Sequence, residues 1–209
     1  MQLNSQNQKK RLEIMTVSVK LFAEKGFRRT SVEDILAATG IAKGTFYYYF
    51  KSKEELLDAA IEQYSNQIFA ALNPVTANKT VSAKEKLIQV ILIAFDGGDA
   101  LKEQLTAALH QPGNELLHEK NLLTSVKRLI PIIRDIIDEG NCNGEFTVEY
   151  PETTAEFLMI AAQFMFDNHL FPRSPVQANQ TLTEFLGVTE KLLGLKPGGL
   201  KLLTGIFAK

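Results

Sequence analysis

The stretch Ala42-Lys43-Gly44-Thr45-Phe46-Tyr47-Tyr48-Tyr49-Phe50 places three consecutive tyrosines after a Lys-Gly pair and between two phenylalanines. On a helix, Ala42, Phe46 and Phe50 share one face because they are spaced four residues apart. Each phenolic hydroxyl needs a hydrogen-bond partner once it is buried, which argues against a core position for three adjacent tyrosines. The stretch therefore predicts a short helix that is anchored by its phenylalanines and presents a cationic, phenolic surface suited to a nucleic-acid groove.

A first helix is predicted upstream of this stretch, from about Gln8 to Lys25. It should end at Gly26, which can adopt the left-handed conformation at a helix C-terminus. Phe27 can then pack back on Phe22, so the chain turns sharply after the first helix.

A second helix is predicted to begin at Thr30, which can form a capping box with Glu33, and to end at Gly40. Only a short glycine-containing turn separates it from the aromatic helix, as expected of a helix-turn-helix. A further capping box, Ser52 with Glu55, predicts the start of a long fourth helix. We expect that helix to end at Asn73-Pro74, ahead of a linker over residues 75–80.

The rest of the chain is also predicted to be helical, and it is more apolar. The expected helices are 82–95, 99–110, 114–140 with a kink at Pro131, 151–170 and 175–193. The tail beyond Gly194 contains Lys196-Pro197-Gly198-Gly199, and we expect it to be loosely held.

Charge is distributed unevenly along the 209 residues. The net charge is −1, yet residues 1–53 carry ten lysines and arginines against four acidic residues, a net +6, and the remainder carries −7. A basic head on an acidic body directs attraction for polyanions to one end of the molecule. The single Cys142 excludes an intrachain disulfide, and no apolar run approaches the length of about 20 residues that spans a bilayer. With a polar N-terminus as well, the composition predicts a cytoplasmic protein.

The residue types in the predicted helix-turn-helix are suited to contact with double-stranded DNA. The second helix of this motif enters the major groove, and neighbouring elements touch the backbone. Lys43 can donate to guanine or phosphate, Gly44 lets the backbone approach closely, and Thr45 can bond a phosphate. The predicted DNA-contacting residues are Arg29, Thr30, Ser31, Lys43, Gly44, Thr45, Tyr47, Tyr48, Tyr49 and Lys53.

These residues also carry a resemblance to the N-terminal domain of TetR/AcrR-type bacterial transcriptional regulators, over residues 8–56. The matching segments are Leu21-Phe22-Ala23-Glu24-Lys25-Gly26-Phe27, Thr30-Ser31-Val32-Glu33-Asp34-Ile35, and Gly40 to Phe50 followed by Lys51-Ser52-Lys53-Glu54. By this resemblance Lys43, Gly44 and Tyr47 occupy groove-reading positions. Thr45, Tyr49 and Lys53 occupy phosphate-contact positions, with Tyr49 replacing a histidine common in the family.

The resemblance implies an all-α fold in which an N-terminal three-helix helix-turn-helix domain is joined by a long helix to a larger helical domain. We expect a DNA-binding domain over 1–53, a connecting helix and linker over 54–80, and an effector-binding and dimerisation domain over 81–209. The implied partners are a DNA operator, a small-molecule effector, and a second copy of the chain bound through helices 151–170 and 175–193.

Thirteen phenylalanines and no tryptophan suggest an aromatic-lined interior suited to an apolar or amphipathic effector. The candidate effector-binding residues are Phe95, Leu109, His110, Leu122, Phe164, Asn168 and His169. We expect Pro112-Gly113 to separate His110 from His118, so the histidines form no metal-ligand spacing. No nucleophile and base have supporting context either, so the sequence predicts no metal site, no cofactor and no enzyme activity.

The leading hypothesis is a homodimeric, ligand-responsive repressor that binds a pseudo-palindromic operator. The alternative is a transcriptional activator, or a DNA-binding regulator that a protein partner controls without a small ligand. An enzyme or carrier is a third class, and it would require a converging set of catalytic groups that the sequence does not supply.

Overall fold

The chain is helical in a computed structural model, which describes residues 5–95, 105, 108–111, 114–167 and 170–204. The helices are α1 (Ser5–Lys25), α2 (Val32–Thr39), α3 (Lys43–Tyr49), α4 (Lys53–Ala77), α5 (Ala83–Phe95), α6 (Glu115–Cys142), α7 (Pro151–Met165) and α8 (Pro175–Leu193), followed by a 3-10 turn at Lys201–Leu203. No β-strand occurs among the described residues. The predicted all-α fold with an N-terminal helix-turn-helix is confirmed. Most of the predicted helix 99–110 lies outside the described residues.

Contacts divide the chain into two compact units. The N-terminal unit takes residues 1–67 and 97–121, and the C-terminal unit takes residues 68–96 and 122–209. Helices α4 and α6 each contribute residues to both units. The predicted domain boundaries at residues 53 and 80 stay a prediction.

The N-terminal unit has an apolar core in which the end of α1 is fixed as predicted. Gly26 has a φ of 88°, and its N–H donates to Phe22 O at 3.0 Å. The rings of Phe22 and Phe27 meet edge to face with their centroids 5.0 Å apart, so Phe27 folds back on the helix. This contact adds roughly 0.5–1.5 kcal/mol beyond the burial of the two rings.

The start of α2 differs from the prediction by one residue. Ser31, rather than Thr30, is the N-cap, and the box partner is Asp34 rather than Glu33. Thr30 is buried instead, and its hydroxyl donates to Gly26 O at 2.8 Å. The Lys25 ammonium, 2.6 Å from Asp34, together with the amide and hydroxyl of Ser31, holds the pKa of the Asp34 carboxyl well below its ordinary value.

Helix α4 begins as predicted but does not end at Pro74. The hydroxyl of Ser52 accepts from the Glu55 N–H at 3.2 Å, which confirms the N-terminal cap. The helix then continues to Ala77, so the expected linker over 75–80 is wrong for its first three residues. Val75 packs on the apolar core of the C-terminal unit, and the Thr76 hydroxyl donates to Asn73 O at 3.1 Å, so the last turn of the helix has both an apolar and a polar contact.

The C-terminal unit is built from α5, α7, α8 and parts of α4 and α6 around a second apolar core. Helix α6 runs continuously through Pro131. Helix α7 ends at Met165, five residues before its predicted end, and the guanidinium of Arg173 donates to the Met165 carbonyl. This contact satisfies a carbonyl that the helix end leaves without a partner.

A buried ion pair that no sequence pattern predicted lies in the C-terminal unit. The ammonium of Lys86 is fully buried and donates to both carboxylate oxygens of Glu139 at 2.7 Å. It also lies 3.5 Å from Thr76 O. Lys86 in α5 and Glu139 in α6 are 53 residues apart in sequence, so no local pattern signals their pairing.

The segment after α8 is packed against its unit rather than loosely held. Leu200 and Leu203 are fully buried. The carboxylate of Glu190 accepts from the Gly198 N–H at 3.0 Å and the Leu200 N–H at 2.8 Å. The expectation of a loose tail is therefore wrong for residues 195–204, because two leucines and a buried carboxylate hold it.

Candidate DNA-binding surface and effector cavity

Helix α3 has the predicted phase. Phe46 and Phe50 are buried with their ring centroids 6.0 Å apart, and they anchor the helix to the core of the N-terminal unit. Tyr47 and Tyr48 are 48% and 64% exposed. Ala42 was expected on the buried face, but it is exposed because it is the N-cap that precedes the helix. Helix α3 therefore buries its phenylalanines and exposes the phenolic side chains of Tyr47 and Tyr48.

The beginning of α3 presents a lysine and a glycine to solvent. Lys43 is exposed, and its ammonium lies 3.7 Å from a carboxylate oxygen of Glu33, which is also exposed. Such an exposed pair contributes about 1 kcal/mol or less, so a phosphate can readily replace Glu33. A methyl group added at Gly44 would meet no atom within 4 Å. Packing within the protein therefore does not explain glycine at position 44, and the close approach of a DNA backbone to this glycine stays a prediction.

Replacing Gly44 by alanine should stabilise the protein and weaken its binding to DNA. The open space accommodates the methyl group, and alanine is favoured over glycine inside a helix by about 0.5–1 kcal/mol. The same methyl group would separate the backbone from a phosphate. Thermal unfolding of the Gly44→Ala variant measures the gain in stability, and titration with operator DNA measures the loss of affinity. An unchanged operator affinity would show that the backbone at Gly44 makes no close contact with DNA.

The remaining predicted DNA contacts divide into exposed groups and groups with internal partners. Arg29 is exposed, and Thr45 is half-buried. Tyr49 is half-buried, and its hydroxyl donates to the side-chain carbonyl of Asn7 at 3.4 Å. The Ser31 hydroxyl belongs to the α2 cap, and that of Thr30 is buried.

Lys53 has a different environment from the one expected of a phosphate contact. Its ammonium donates to the carbonyls of Phe27 and Thr30, each at 2.8 Å, and lies 4.6 Å from the centre of the Phe27 ring. The lysine thus fixes the loop between α1 and α2. For all ten predicted residues, contact with DNA stays a prediction.

The C-terminal unit contains an apolar cavity of about 60 Å³. Its walls come from α5, α6, α7, α8 and the 3-10 turn. The lining residues are Leu87, Val90, Ile91, Ala94, Leu129, Ile133, Leu158, Met159, Ala162, Phe166, Leu182, Phe185, Leu186, Thr189 and Leu203. The hydroxyl of Thr189 donates to Phe185 O at 2.9 Å, so the wall offers hydrocarbon to a ligand.

The predicted effector residues do not meet at this cavity. Leu109 and His110 belong to the N-terminal unit, whereas Leu122 and Phe164 belong to the C-terminal unit without lining the cavity. The Phe95 side chain, Asn168 and His169 lie outside the described residues, and a role for all seven in effector binding stays a prediction. A usable signal was the spacing of apolar residues along α8, where Leu182, Phe185, Leu186 and Thr189 form one face.

His110 and His118 are neighbours, contrary to the expected separation. Their ring centroids lie 4.6 Å apart. The Asn114 N–H donates to Gln111 O at 3.1 Å, and the His118 N–H donates to Asn114 O at 2.9 Å. A new helix, α6, begins at Glu115, and His118 in its first turn lies beside His110.

Within the part of the chain that is described, no helix combines the length and apolarity needed to cross a membrane.

A recognition-type helix with exposed Lys43, Tyr47 and Tyr48, held by a glycine turn, defines a helix-turn-helix DNA-binding regulator. Residues 14–60 match the family model described as bacterial regulatory proteins, tetR family. Residues 100–187 match a second model, described as tetracyclin repressor-like, C-terminal domain. The chain belongs to the TetR family of bacterial transcriptional regulators, which are DNA-binding proteins rather than enzymes.

Individual relatives support the same assignment. The chain is 32% identical over 145 residues to the fatty acid metabolism regulator protein of Bacillus subtilis, covering 67% of this chain and 72% of the relative. It is 30% identical over 141 residues to the transcriptional repressor KstR2 of Rhodococcus jostii, and this match covers 66% of this chain and 68% of KstR2. The solved SmeT–triclosan complex is 18% identical in sequence to this chain, with a TM-score of 0.67. The match covers 92% of this chain and 94% of the SmeT chain, and it supports the fold.

Proposed function

We propose that this chain is a homodimeric, ligand-responsive repressor that binds a pseudo-palindromic operator and is released by a small apolar or amphipathic effector. The observation that carries the DNA-binding part is the exposed pair Lys43 and Tyr47 on a helix anchored by Phe46 and Phe50. Two copies of α3 would enter successive major grooves with half-site centres about 34–36 Å apart. The relative KstR2 is named a transcriptional repressor, which supports repression rather than activation of transcription.

Apolar side chains on the outer face of α7 support the dimer. The inner face packs in the core through Leu158 and Met159, yet Phe157 and Ile160 are 56% and 49% exposed. Val188 on α8 is also exposed. A helix that is apolar on two faces is expected to be buried on both, and a second copy of the chain would cover the outer face.

Replacing Phe157 by arginine should convert the dimer to a monomer and weaken operator binding. A charge in an apolar interface costs several kcal/mol unless it is paired, and the side chain is too exposed for the change to disturb the core of the monomer. Sedimentation of the variant measures its mass. Leu202→Arg is the matched control, since Leu202 is exposed and lies outside α7 and α8. A dimeric Phe157→Arg protein would refute this interface.

The apolar cavity supports a hydrocarbon-like effector. Its walls match such a ligand in chemistry, and the name of the Bacillus subtilis relative makes fatty acids the first class to test. Effector binding would favour a conformer in which α4 swings and the two recognition helices no longer match the operator. A ligand produces this shift only by binding the two conformers with different affinity.

Fluorescence anisotropy with DNA from the promoter of the gene itself tests the proposal. We expect sequence-selective binding that weakens with salt and is reversed by the effector. An absence of selective binding would contradict the DNA-binding part. Selective binding that no apolar ligand reverses would favour the alternative, a regulator controlled by a protein partner, and increased transcription from the bound promoter would favour an activator.

A further inference from the structure

The cavity in the C-terminal unit is bordered partly by the segment that follows α8. Pockets for drug-sized ligands measure roughly 300–1,000 Å³, whereas this cavity measures about 60 Å³. One wall must therefore move before a ligand of that size can enter. The walls are four long helices and the segment 195–204, which we call the C-terminal strap.

Two leucines of the strap are buried in the C-terminal unit. Leu200 and Leu203 are both fully buried, and Leu203 lines the cavity directly. Leu202, between them, is 78% exposed. Leu203 is therefore the side chain of the strap that fills space next to the cavity, and its neighbour supplies a matched exposed leucine.

A carboxylate on α8 binds the strap through two hydrogen bonds from backbone N–H groups. Glu190 on α8 is nearly buried and accepts from the N–H groups of Gly198 and Leu200. Gly198 has a φ of 84°, in the region that favours glycine, and Gly199 follows it. This pair of glycines gives the strap a natural hinge just before its buried leucines.

The strap has the shortest regular element among the walls of the cavity, so we expect it to be displaced most readily. Helices α5, α6, α7 and α8 contain 13, 28, 15 and 19 residues. Each is held by a ladder of backbone hydrogen bonds, which in α6 lacks the bond that Pro131 cannot donate. The regular part of the strap is a 3-10 turn of three residues, and its bonds include Leu203 N–H to Leu200 O at 3.0 Å. Segments with few buried contacts open locally at lower free energy than whole helices.

We propose that the C-terminal strap is a built-in plug of the effector cavity, in which Leu203 holds the apolar space until an apolar ligand displaces it. This inference rests on the proposed function, because it assumes that the effector binds in the C-terminal unit. The plug lowers the apparent affinity for ligand by the fraction of molecules in which the strap is open. It thereby sets the ligand concentration at which the regulator responds.

Titration of the full-length protein with the neutral apolar fluorophore N-phenyl-1-naphthylamine tests the plug. Leu203→Ala should bind the fluorophore about tenfold more tightly than the unaltered protein, because the open fraction rises when the buried leucine is lost. Leu202→Ala, which changes an exposed leucine, should bind like the unaltered protein. Equal affinity in all three proteins, absence of binding in Leu203→Ala, or an equal gain in Leu202→Ala would overturn the proposal.

Hydrogen exchange of the unaltered protein gives a second test that does not depend on the stability of a variant. With the fluorophore bound, the amides of Gly198, Leu200 and Leu203 should exchange faster, while those of α8 keep or gain protection. Fluorophore binding with unchanged protection in the strap would overturn the plug. Operator binding that no apolar ligand reverses would instead contradict the proposed function, so the two failures are distinguishable.

Discussion

Replacing Glu139 by alanine should lower the free energy of unfolding by about 3 kcal/mol or more. The change leaves the fully buried ammonium of Lys86 without its carboxylate, and an uncompensated buried charge costs roughly 3–5 kcal/mol. Glu139 is 26% exposed, so water entering the gap should keep the loss near the lower end. Urea unfolding followed by circular dichroism measures the difference.

Two further variants separate the ion pair from general effects of losing a glutamate. Glu13→Ala removes the exposed partner of Lys10, and its effect should stay below about 1 kcal/mol. The double variant Lys86→Met, Glu139→Leu replaces both charges with apolar groups and should recover most of the stability. A loss for Glu139→Ala no larger than that for Glu13→Ala would mean that the buried ion pair does not stabilise the fold.

Replacing Lys43 and Tyr47 together by alanine should weaken operator binding by at least about 100-fold. Each direct contact to a base or its surroundings contributes roughly 1–3 kcal/mol, so the two losses combine to that order. Because both side chains are exposed, the fold and any binding of ligand in the C-terminal unit should persist. Anisotropy titration at fixed salt measures the loss.

Tyr150→Ala combined with Lys79→Ala is the matched control for this pair, since neither residue lies in α7 or α8. Both residues are exposed, both belong to the C-terminal unit, and the substitutions remove the same two chemical groups and the same charge. The control should bind the operator like the unaltered protein. If both double variants lost affinity equally, the effect would reflect net charge rather than contacts made by α3.

The N-terminal unit could be predicted well because its signals are local. Glycine stops, a serine cap and the spacing of Phe46 and Phe50 each act within a few residues. The start of α2 was misplaced because Thr30-x-x-Glu33 and Ser31-x-x-Asp34 both satisfy the capping pattern. Tertiary contacts decide between them, since the Thr30 hydroxyl is occupied by Gly26 O.

The features that sequence analysis missed depend on distant residues. Lys53 resembles a phosphate contact by position, yet its donors meet carbonyls more than 20 residues away in the chain. The packed strap depends on Glu190 and on the cavity wall, neither of which is visible in a Pro-Gly-Gly pattern. Local pattern therefore predicted the recognition helix, whereas the lining of the cavity required the fold.

The recognition helix also has an optical consequence. The protein contains no tryptophan and five tyrosines, and three of these, Tyr47, Tyr48 and Tyr49, lie on α3. In a protein without tryptophan, tyrosine dominates the ultraviolet emission, and three of the five tyrosines lie at the surface proposed to meet DNA. Quenching or enhancement of tyrosine emission would report on operator engagement without any label, and Tyr64 and Tyr150 contribute the background.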